Sequence, residues 1–539
     1  MFFVAKNAIC VKIKSMLSDE YFYLKIGRAA DLRRLGKKGE AVLYRLFEIL
    51  PGFLTWLTFA SVVSFSWLSP IFTAFFIILF DLYWLLKTVY LSLHLRVAFK
   101  RVKENLKINW LKELEILPPE KYTSDAKNWK EFYHLIILPF YDEGFEVISS
   151  CLESLGKANY PPEKMIVVLG AEERAGANVL LTAQKAQEKF GGKFFRFLIT
   201  VHPKDIEGEI AGKGSNIAWA GRKVKEQIID ALGIPYNRVI VSAFDIDTVV
   251  FPDYFSRLTY VYLKTKNPKR RSYQPIPFYV NNIWQAPAFA RVVSFSATFW
   301  HTLQQERAER LTTFSSHSMP FQALVDVDFW QANMVSEDSR IFWQCLLRYD
   351  GNYGVVPLHY PVAMDANVAP SFWKTMKNQY KQQRRWAYGA ENIPYFLFGF
   401  WKNEKMGIGK KLYYSFVYIE GVWSWSTNAL LIFLLGWLPL VLGGEAFNTM
   451  ILAYNLPKIT RNLMMLASFG IITSAYLSIV ILPPRPAHYG KRKYLWMILQ
   501  WPLLFLTMIF FGAFPAIDAQ TRLMFGKYIG FWVTPKFRK

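Results

Sequence analysis

The chain has 539 residues, of which 53% are hydrophobic and 17% aromatic, and it carries a formal net charge of +23. That apolar content is high for a soluble protein, and with this charge it points to a membrane protein with basic inner loops. Nucleic acid is set aside as a partner, because Lys and Arg are spread along the chain and no basic run is interleaved with aromatics. The three cysteines, Cys10, Cys151 and Cys345, are far apart without metal-ligand spacing and read as reduced thiols facing a cytoplasm.

Residues 1–50 hold ten Lys or Arg against five Asp or Glu and no small-residue cleavage site. They read as a cytoplasmic basic leader and not as a signal peptide. Pro51 to Leu68 is uncharged, and Ile71 to Leu95 is apolar apart from Asp81, Lys87 and His94. Each approaches the ~20 residues that cross a bilayer, so 51–95 is expected to form a transmembrane hairpin about Ser69-Pro70. Asp81, at hydrocarbon depth, has to pair or line a polar path.

A linker over 96–130 leads to a region, 131–400, where apolar runs alternate with amphipathic ones, the pattern of a mostly parallel α/β sheet. Strands are expected at Phe132–Phe140, Met165–Gly170, Phe194–Val201 and Val239–Phe244. The first runs into Pro139-Phe-Tyr-Asp142-Glu143-Gly, a turn that presents polar groups at the carboxyl edge of the sheet. The third is followed by Gly212-Lys213-Gly-Ser-Asn216, which reads either as a phosphate-favouring helix start or as a plain helix-opening loop. The fourth ends in Asp245-Ile-Asp247. Alternation on an extended chain points both side chains the same way, so the two carboxylates can converge on one hard cation at the lip of the sheet. Capping of a helix near Pro252 is the other reading.

Ser336-Glu337-Asp338 places two carboxylates at a helix start. Further on, Gln382-Gln-Arg-Arg385-Trp386 falls in a basic helix on which Gln382, Arg385 and Trp386 share one face; alone, such a helix also fits a membrane interface. Leu412–Leu442, Leu463–Leu482 and Tyr494–Ile517 return the chain to the bilayer, giving about three helices over 401–517. Glu420-Gly421 interrupts the first, part of which can lie in the interface or re-enter. Residues 443–460 are charge-poor while Arg485, Lys491, Arg492 and Lys493 stand without an acid, which places the 131–400 region in the cytoplasm. The basic tail, 518–539, favours the same side, yet five crossings from an inside start would leave it outside.

Pro139-Phe-Tyr-Asp-Glu, Asp245-Ile-Asp247, Ser336-Glu-Asp338 and Gln382-Gln-Arg-Arg-Trp386 occur in one order, with membrane helices on both sides. The set resembles the membrane-embedded family 2 glycosyltransferases, the group of cellulose, chitin and hyaluronan synthases. Their signature is a nucleotide-contacting Asp, an Asp-X-Asp, a Thr-Glu-Asp and a Gln-X-X-Arg-Trp, and the likeness covers roughly residues 130 to 400 with the flanking helices. It implies a GT-A-type, mostly parallel α/β domain inserted between transmembrane helices. It also implies an inverting transferase that moves a sugar from a nucleotide-sugar donor, a UDP-hexose, to a growing polysaccharide at the cytoplasmic face of the cell membrane. By position, the resemblance makes Asp338 the general base and gives Asp245 and Asp247 the diphosphate through Mg²⁺ or Mn²⁺. It assigns Lys213 and Arg385 to the donor and Gln382 and Trp386 to the acceptor.

Two positions depart from the signature. The second strand ends in Glu172-Glu173 where an Asp is usual, so one of these takes over the donor contact, and Ser336 replaces Thr with its hydroxyl kept. His317 stays unassigned. The chemistry independently asks for these residue types. A leaving diphosphate needs its charge neutralised, an acceptor hydroxyl needs a carboxylate to take its proton, and a sugar ring stacks on a flat apolar face. A transferase adding one sugar to a membrane lipid is the alternative enzyme. A transporter, the non-enzyme alternative, would gather its polar residues inside the spans and not in 131–400.

Overall fold

The computed structural model describes residues 19–538. Cys10 and the first part of the basic leader lie outside these. Cys151 and Cys345 are free and buried.

Two long helices come first, α1 (Lys38–Leu68) and α2 (Pro70–Asn105). An eight-stranded sheet follows: β1 (Tyr133–Pro139), β2 (Met165–Glu172), β3 (Arg196–His202), β4 (Val239–Ala243), β5 (Val249–Val250), β6 (Arg271–Tyr279), β7 (Ser318–Pro320) and β8 (Gly354–Met364). The strand order is β3-β2-β1-β4-β7-β6-β8-β5. β3, β2, β1 and β4 are mutually parallel, as are β6 and β8, while β7 runs antiparallel to β4 and β6 and joins the two halves. The central strands are apolar on both faces because helices cover both. Leu135 and Ile137 pack on one layer and Ile136 and Leu138 on the other. The second layer is built by α3 (Phe145–Gly156), α4 (Ala177–Phe190) and, beyond α5 (Lys213–Val224) of the first layer, α6 (Tyr254–Lys264).

The remaining helices are α7 (Ala288–Gln304), α8 (Glu337–Arg348), α9 (Phe372–Ala387), α10 (Asn392–Lys402), α11 (Ile408–Phe433), α12 (Leu435–Leu442), α13 (Ile451–Val480) and the run α14 (Arg492–Met524). Among the described residues four helices, α1, α2, α13 and α14, are long and apolar enough to cross a membrane. A fifth is added if α11 and α12, bent by 50°, count as one. The α/β sheet set between apolar helices is the architecture expected from the sequence.

The contacts among these helices resolve the parity that hydropathy left open. α13 runs alongside α2 in the same direction: Ala453 and Leu456 pack with Ala74 and Ile77, Gly470 lies against Thr88, and Thr473 bonds Arg96. α11 and α12 carry the chain away from the sheet to the far end of α2, where Gly443 meets Pro70. Both ends of α14 return to the sheet side, since Tyr494 packs edge-on against Trp284 while Asp518 pairs with Arg384 of α9. The segment after α14 therefore lies on the same side as the sheet.

Three local expectations need adjusting. α2 continues as a single helix to Asn105 where a linker was expected from residue 96, because Leu95, Phe99 and Val102 pack on Ile276 and Phe278 of β6. α1 starts at Lys38, well before Pro51. The basic stretch ahead of it buries Leu24, Ile26 and Leu32 in the same apolar cluster as Trp343 and Phe396, so its described part is packed on the sheet domain.

Candidate active site

Loops from the carboxyl edge of β1, β2 and β4, the first turn of α8 and one face of α9 surround a cavity of about 770 Å³. It is lined by Asp245, Asp247, Lys213, Glu172, Glu337, Asp338, Gln382, Arg385 and Trp386 together. The structure thus assembles every residue assigned a catalytic, donor, acceptor or metal role from the sequence except Glu173, whose carboxylate instead accepts the backbone N–H of Lys204 at 2.9 Å.

The chain stops being extended at Ala243 and turns, with the N–H of Thr248 donating to the carbonyl of Asp245. Strict alternation therefore ends before the two aspartates, so the extended-chain spacing does not set their orientation. Each has its own cation. Asp245 Oδ1 lies 2.6 Å from Lys213 Nζ, and its Oδ2 accepts from Ser315 Oγ at 2.7 Å. Asp247 is fully buried; its Oδ2 accepts from the N–H of Asp365 at 2.9 Å and from Lys536 Nζ at 2.7 Å, while its Oδ1 has no partner among the described residues. Burial opposes the charge of both. For Asp245 the ammoniums of Lys213 and Lys536 prevail and hold it below the carboxylate range, whereas for Asp247 burial prevails and raises it.

Lys213 is the hub. It opens α5 directly after Gly212, and its ammonium bonds both Asp338 oxygens, at 2.9 and 2.8 Å, with Glu337 at 3.8 Å. Burial would favour the neutral amine, but Asp245, Asp338 and Glu337 together keep it charged. Glu337 is pushed up to about 8, by burial first and then by the neighbouring Asp338 charge. Asn216, one turn along α5, is structural: its Nδ2 donates to the carbonyl of Gly170 at 2.8 Å, and a Cβ at Gly170 would meet its Oδ1 at 2.6 Å.

The turn that carries Asp338 is held from α9's far end. Oε1 of the buried Glu391 accepts the N–H groups of Val335 and Ser336, both at 2.9 Å, and the Ser336 hydroxyl at 2.8 Å. His317 donates from Nδ1 to the carbonyl of Phe314 at 2.9 Å and accepts at Nε2 from Trp330 at 3.4 Å. Burial keeps its imidazole neutral, so it acts as a bracket beside Asp338. On α9, Trp386 lies near the ring of Tyr279, with centroids 5.9 Å apart, and Arg385 sits over the ring of Phe531 at 4.7 Å.

Glu172 ends β2, lines the cavity and pairs with Arg174, which in turn covers Tyr141 at 4.6 Å. Glu143 also lines the cavity and is pushed up to about 7 by burial. Sequence reading placed Glu143 at the carboxyl edge without a role, and it missed Ser315, Asp365 and Glu391, and above all the extended segment that follows α14. There Phe531 lies on Gly212, where a Cβ would meet its ring at 2.5 Å, and Lys381 lies over Trp532 at 5.3 Å. Lys536 pairs with Asp247, and Arg538 pairs with Asp365 at 2.7 Å. The one available signal was the two-residue spacing of Lys536 and Arg538 beside Pro535, which on an extended chain sets both cations on one side.

A parallel-edge cavity with clustered carboxylates, a buried ammonium and an Arg-Trp helix defines a group-transfer enzyme joined to helices long and apolar enough to cross a membrane. Residues 240–511 match the family model of glycosyl transferase family group 2, and the chain belongs to that family. It is a glycosyltransferase. No curated protein matches the sequence. Among solved structures, the chain is similar to the mannosyltransferase PcManGT from Pyrobaculum calidifontis, in complex with GDP-Man and Mn²⁺, at 13% identity and a TM-score of 0.39, covering 73% of this chain and 99% of that one. It is also similar to residues 1–349 of TarS from S. aureus in complex with UDP, at 12% identity and a TM-score of 0.28, covering 64% of this chain and 91% of that one.

Proposed function

We propose that the protein is an inverting glycosyltransferase that moves a hexose from a nucleotide sugar, a UDP-hexose, to a growing polysaccharide at the cytoplasmic face of the cell membrane. The observation that carries this reading is the continuity of one cavity. It runs from Asp245, Asp247 and Lys213, past Asp338 and Trp386, to Trp84 and Lys87 of α2 and Asn428 of α11.

In a single displacement the acceptor oxygen attacks the anomeric carbon, the bond to the diphosphate breaks, and the hydroxyl proton passes to an Asp338 oxygen. Glu391 fixes the backbone that presents Asp338, and Lys213 pairs with both oxygens of that carboxylate. When the diphosphate enters, Lys213 and Arg385 supply positive charge to its oxygens, Arg385 through a planar fork. Glu172 replaces the usual aspartate toward the nucleoside. The rings of Trp386 and Tyr279 give the acceptor sugar a flat apolar face.

Asp245 and Asp247 fit a Mg²⁺ or Mn²⁺ ion. Such ions are held by one or two carboxylates plus substrate phosphates, and the buried Oδ1 of Asp247 is free to accept one. Among the described residues no three His, Cys, Asp or Glu side chains stand together as a metal cage, which agrees with an ion completed by the donor. Bound there, it would neutralise charge on the departing diphosphate.

The test is purified protein in detergent with a panel of nucleotide sugars and Mg²⁺ or Mn²⁺, reading released nucleoside diphosphate and product size. Expected are a β-linked polymer and no turnover in excess chelator. Asp338→Asn should bind donor but transfer nothing. A product carrying one added sugar, or α-linkages only, refutes the polysaccharide reading.

A further inference from the structure

Away from the carboxylates, the cavity passes between the sheet domain and the apolar helices, and its wall changes character. Here it is formed by Trp84 and Lys87 of α2, Trp300 of α7, Arg307 and Arg310 just beyond α7, and Glu420 of α11. Lys87 and Glu420 satisfy each other: Nζ to Oε1 is 2.9 Å, Ser424 Oγ donates to the same carboxylate, and the ammonium rests 4.2 Å from the Trp84 ring.

The two arginines have no such match. Arg307 has only the ring of Tyr90, at 5.9 Å, and its Nε is buried without a hydrogen-bond partner. Arg310 makes no ion pair among the described residues; the carboxylate within its electrostatic range is Glu420, which Lys87 already holds. The neighbouring Glu306 is taken by Arg101 at 3.1 Å and His359 at 3.0 Å.

A half-buried guanidinium without an acceptor carries a desolvation cost that an anion in the cavity would offset. The guanidinium fork matches phosphate oxygens in particular. The position selects the bearer of that phosphate. The pair opens onto helices apolar enough to lie in a bilayer, and an interior cavity leads from it to Asp338, so a ligand entering here arrives with an apolar tail.

We propose that Arg307 and Arg310 form a subsite for the phosphate of a membrane lipid that carries the acceptor sugar. The proposal rests on the glycosyltransferase reading for its role and on the unpaired guanidiniums for its chemistry. Lys87, held by Glu420, lies behind the pair as a reserve of positive charge.

The experiment uses the full chain in nanodiscs of a zwitterionic lipid and compares three probes. One is a hexose joined to a long alkyl chain through a phosphate, the second is the matching alkyl hexoside without phosphate, and the third is soluble hexose 1-phosphate. Binding is read directly by native mass spectrometry, and transfer is read by product formation at saturating donor. The phosphate-linked lipid should bind and be extended at least tenfold better than either comparison probe. Arg307→Gln with Arg310→Gln should raise its KM about ten- to a hundredfold while donor hydrolysis without acceptor stays unchanged, and Glu420→Gln, by releasing Lys87, should lower that KM.

Equal use of the two lipids overturns the proposal. So does hexose 1-phosphate competing as well as the lipid, which makes this a site for soluble phosphates. Loss of donor hydrolysis in the arginine variants would give the pair a merely structural role. Because binding is read apart from turnover, a wild-type protein that holds the phosphate-linked lipid yet hydrolyses no nucleotide sugar would refute the reaction and leave the subsite standing.

Discussion

Lys536→Met tests the reading of the site most sharply. Asp247 is 0% exposed, and among the described residues Lys536 supplies the only cation in contact with it; without that ammonium, the N–H of Asp365 is the carboxylate's sole remaining partner among them. Removing one member of a buried pair typically costs about 3–5 kcal/mol, because the other charge stays desolvated. The segment that carries Lys536 belongs to no strand, so the molecule can relieve that cost by letting the segment go without unfolding the sheet. Release should therefore become at least about a hundredfold more frequent, since each 1.4 kcal/mol is roughly a factor of ten. Trypsin cleavage at Lys527 reads the population of the released state directly when release is fast compared with cutting. Lys536→Met should be cut at least about a hundredfold faster than wild type with its melting temperature little changed. Adding Asp247→Asn should restore slow cutting, as the neutral amide no longer demands a cation. If the double variant is cut as fast as the two single effects multiplied, the coupling is absent and the reasoning is refuted.

Three further outcomes follow from the same geometry. Glu391→Ala removes three acceptor contacts from the turn that presents Asp338, so kcat should fall roughly ten- to a hundredfold, given about 1.5–3 kcal/mol for bonds to a charged acceptor. The donor KM should stay within about twofold and Glu391→Gln should recover part of the loss, so an equal fall in donor affinity would count against a positioning role. Glu337 has a folded pKa near 8, above its ordinary 4.5, so the unfolded chain releases its proton first and stability should decline as pH rises through that window, then level off. Glu337→Gln should flatten the fall in melting temperature between about pH 5 and 8, and parallel curves for the two proteins would disprove the assignment. Trp386→Ala forfeits stacking worth roughly 1–3 kcal/mol and should shorten the product more than it slows donor hydrolysis; unchanged product length would remove Trp386 from the acceptor path.

The four parallel strands were legible to within about two residues because periodicity and length mark buried strands directly. The strands from β5 onward were not. β5 and β7 are two and three residues long, and β6 and β8 carry prolines, including Pro275 and Pro357, that disguise the pattern. In the site, Asp245, Lys213, Asp338 and Trp386 could be named because their motifs occur in the order of a known family, while each motif alone also fitted a structural reading. The extended-chain argument for Asp247 failed locally, as the backbone turns after Ala243. Its actual partner, Lys536, is separated from it by 289 positions. No pattern within a window reaches that far, and the same holds for Glu391, which looks like an ordinary helix-end glutamate until the turn at Ser336 folds onto it.

The cluster around Lys213 has a consequence for how substrate arrives. Four cations, Lys213, Lys536, Arg538 and Arg385, face the carboxylates of Asp245, Asp247, Asp365 and Asp338, while burial holds the charge of Glu337 back. Around Lys213 these charges offset one another as they stand. A bare nucleoside diphosphate would bring surplus negative charge into a setting where unpaired charge is costly, whereas one that arrives as its magnesium or manganese salt brings its own counter-charge. On the proposed function the species recognised would be the preformed salt, and turnover would then track the concentration of that complex rather than the concentration of either component alone.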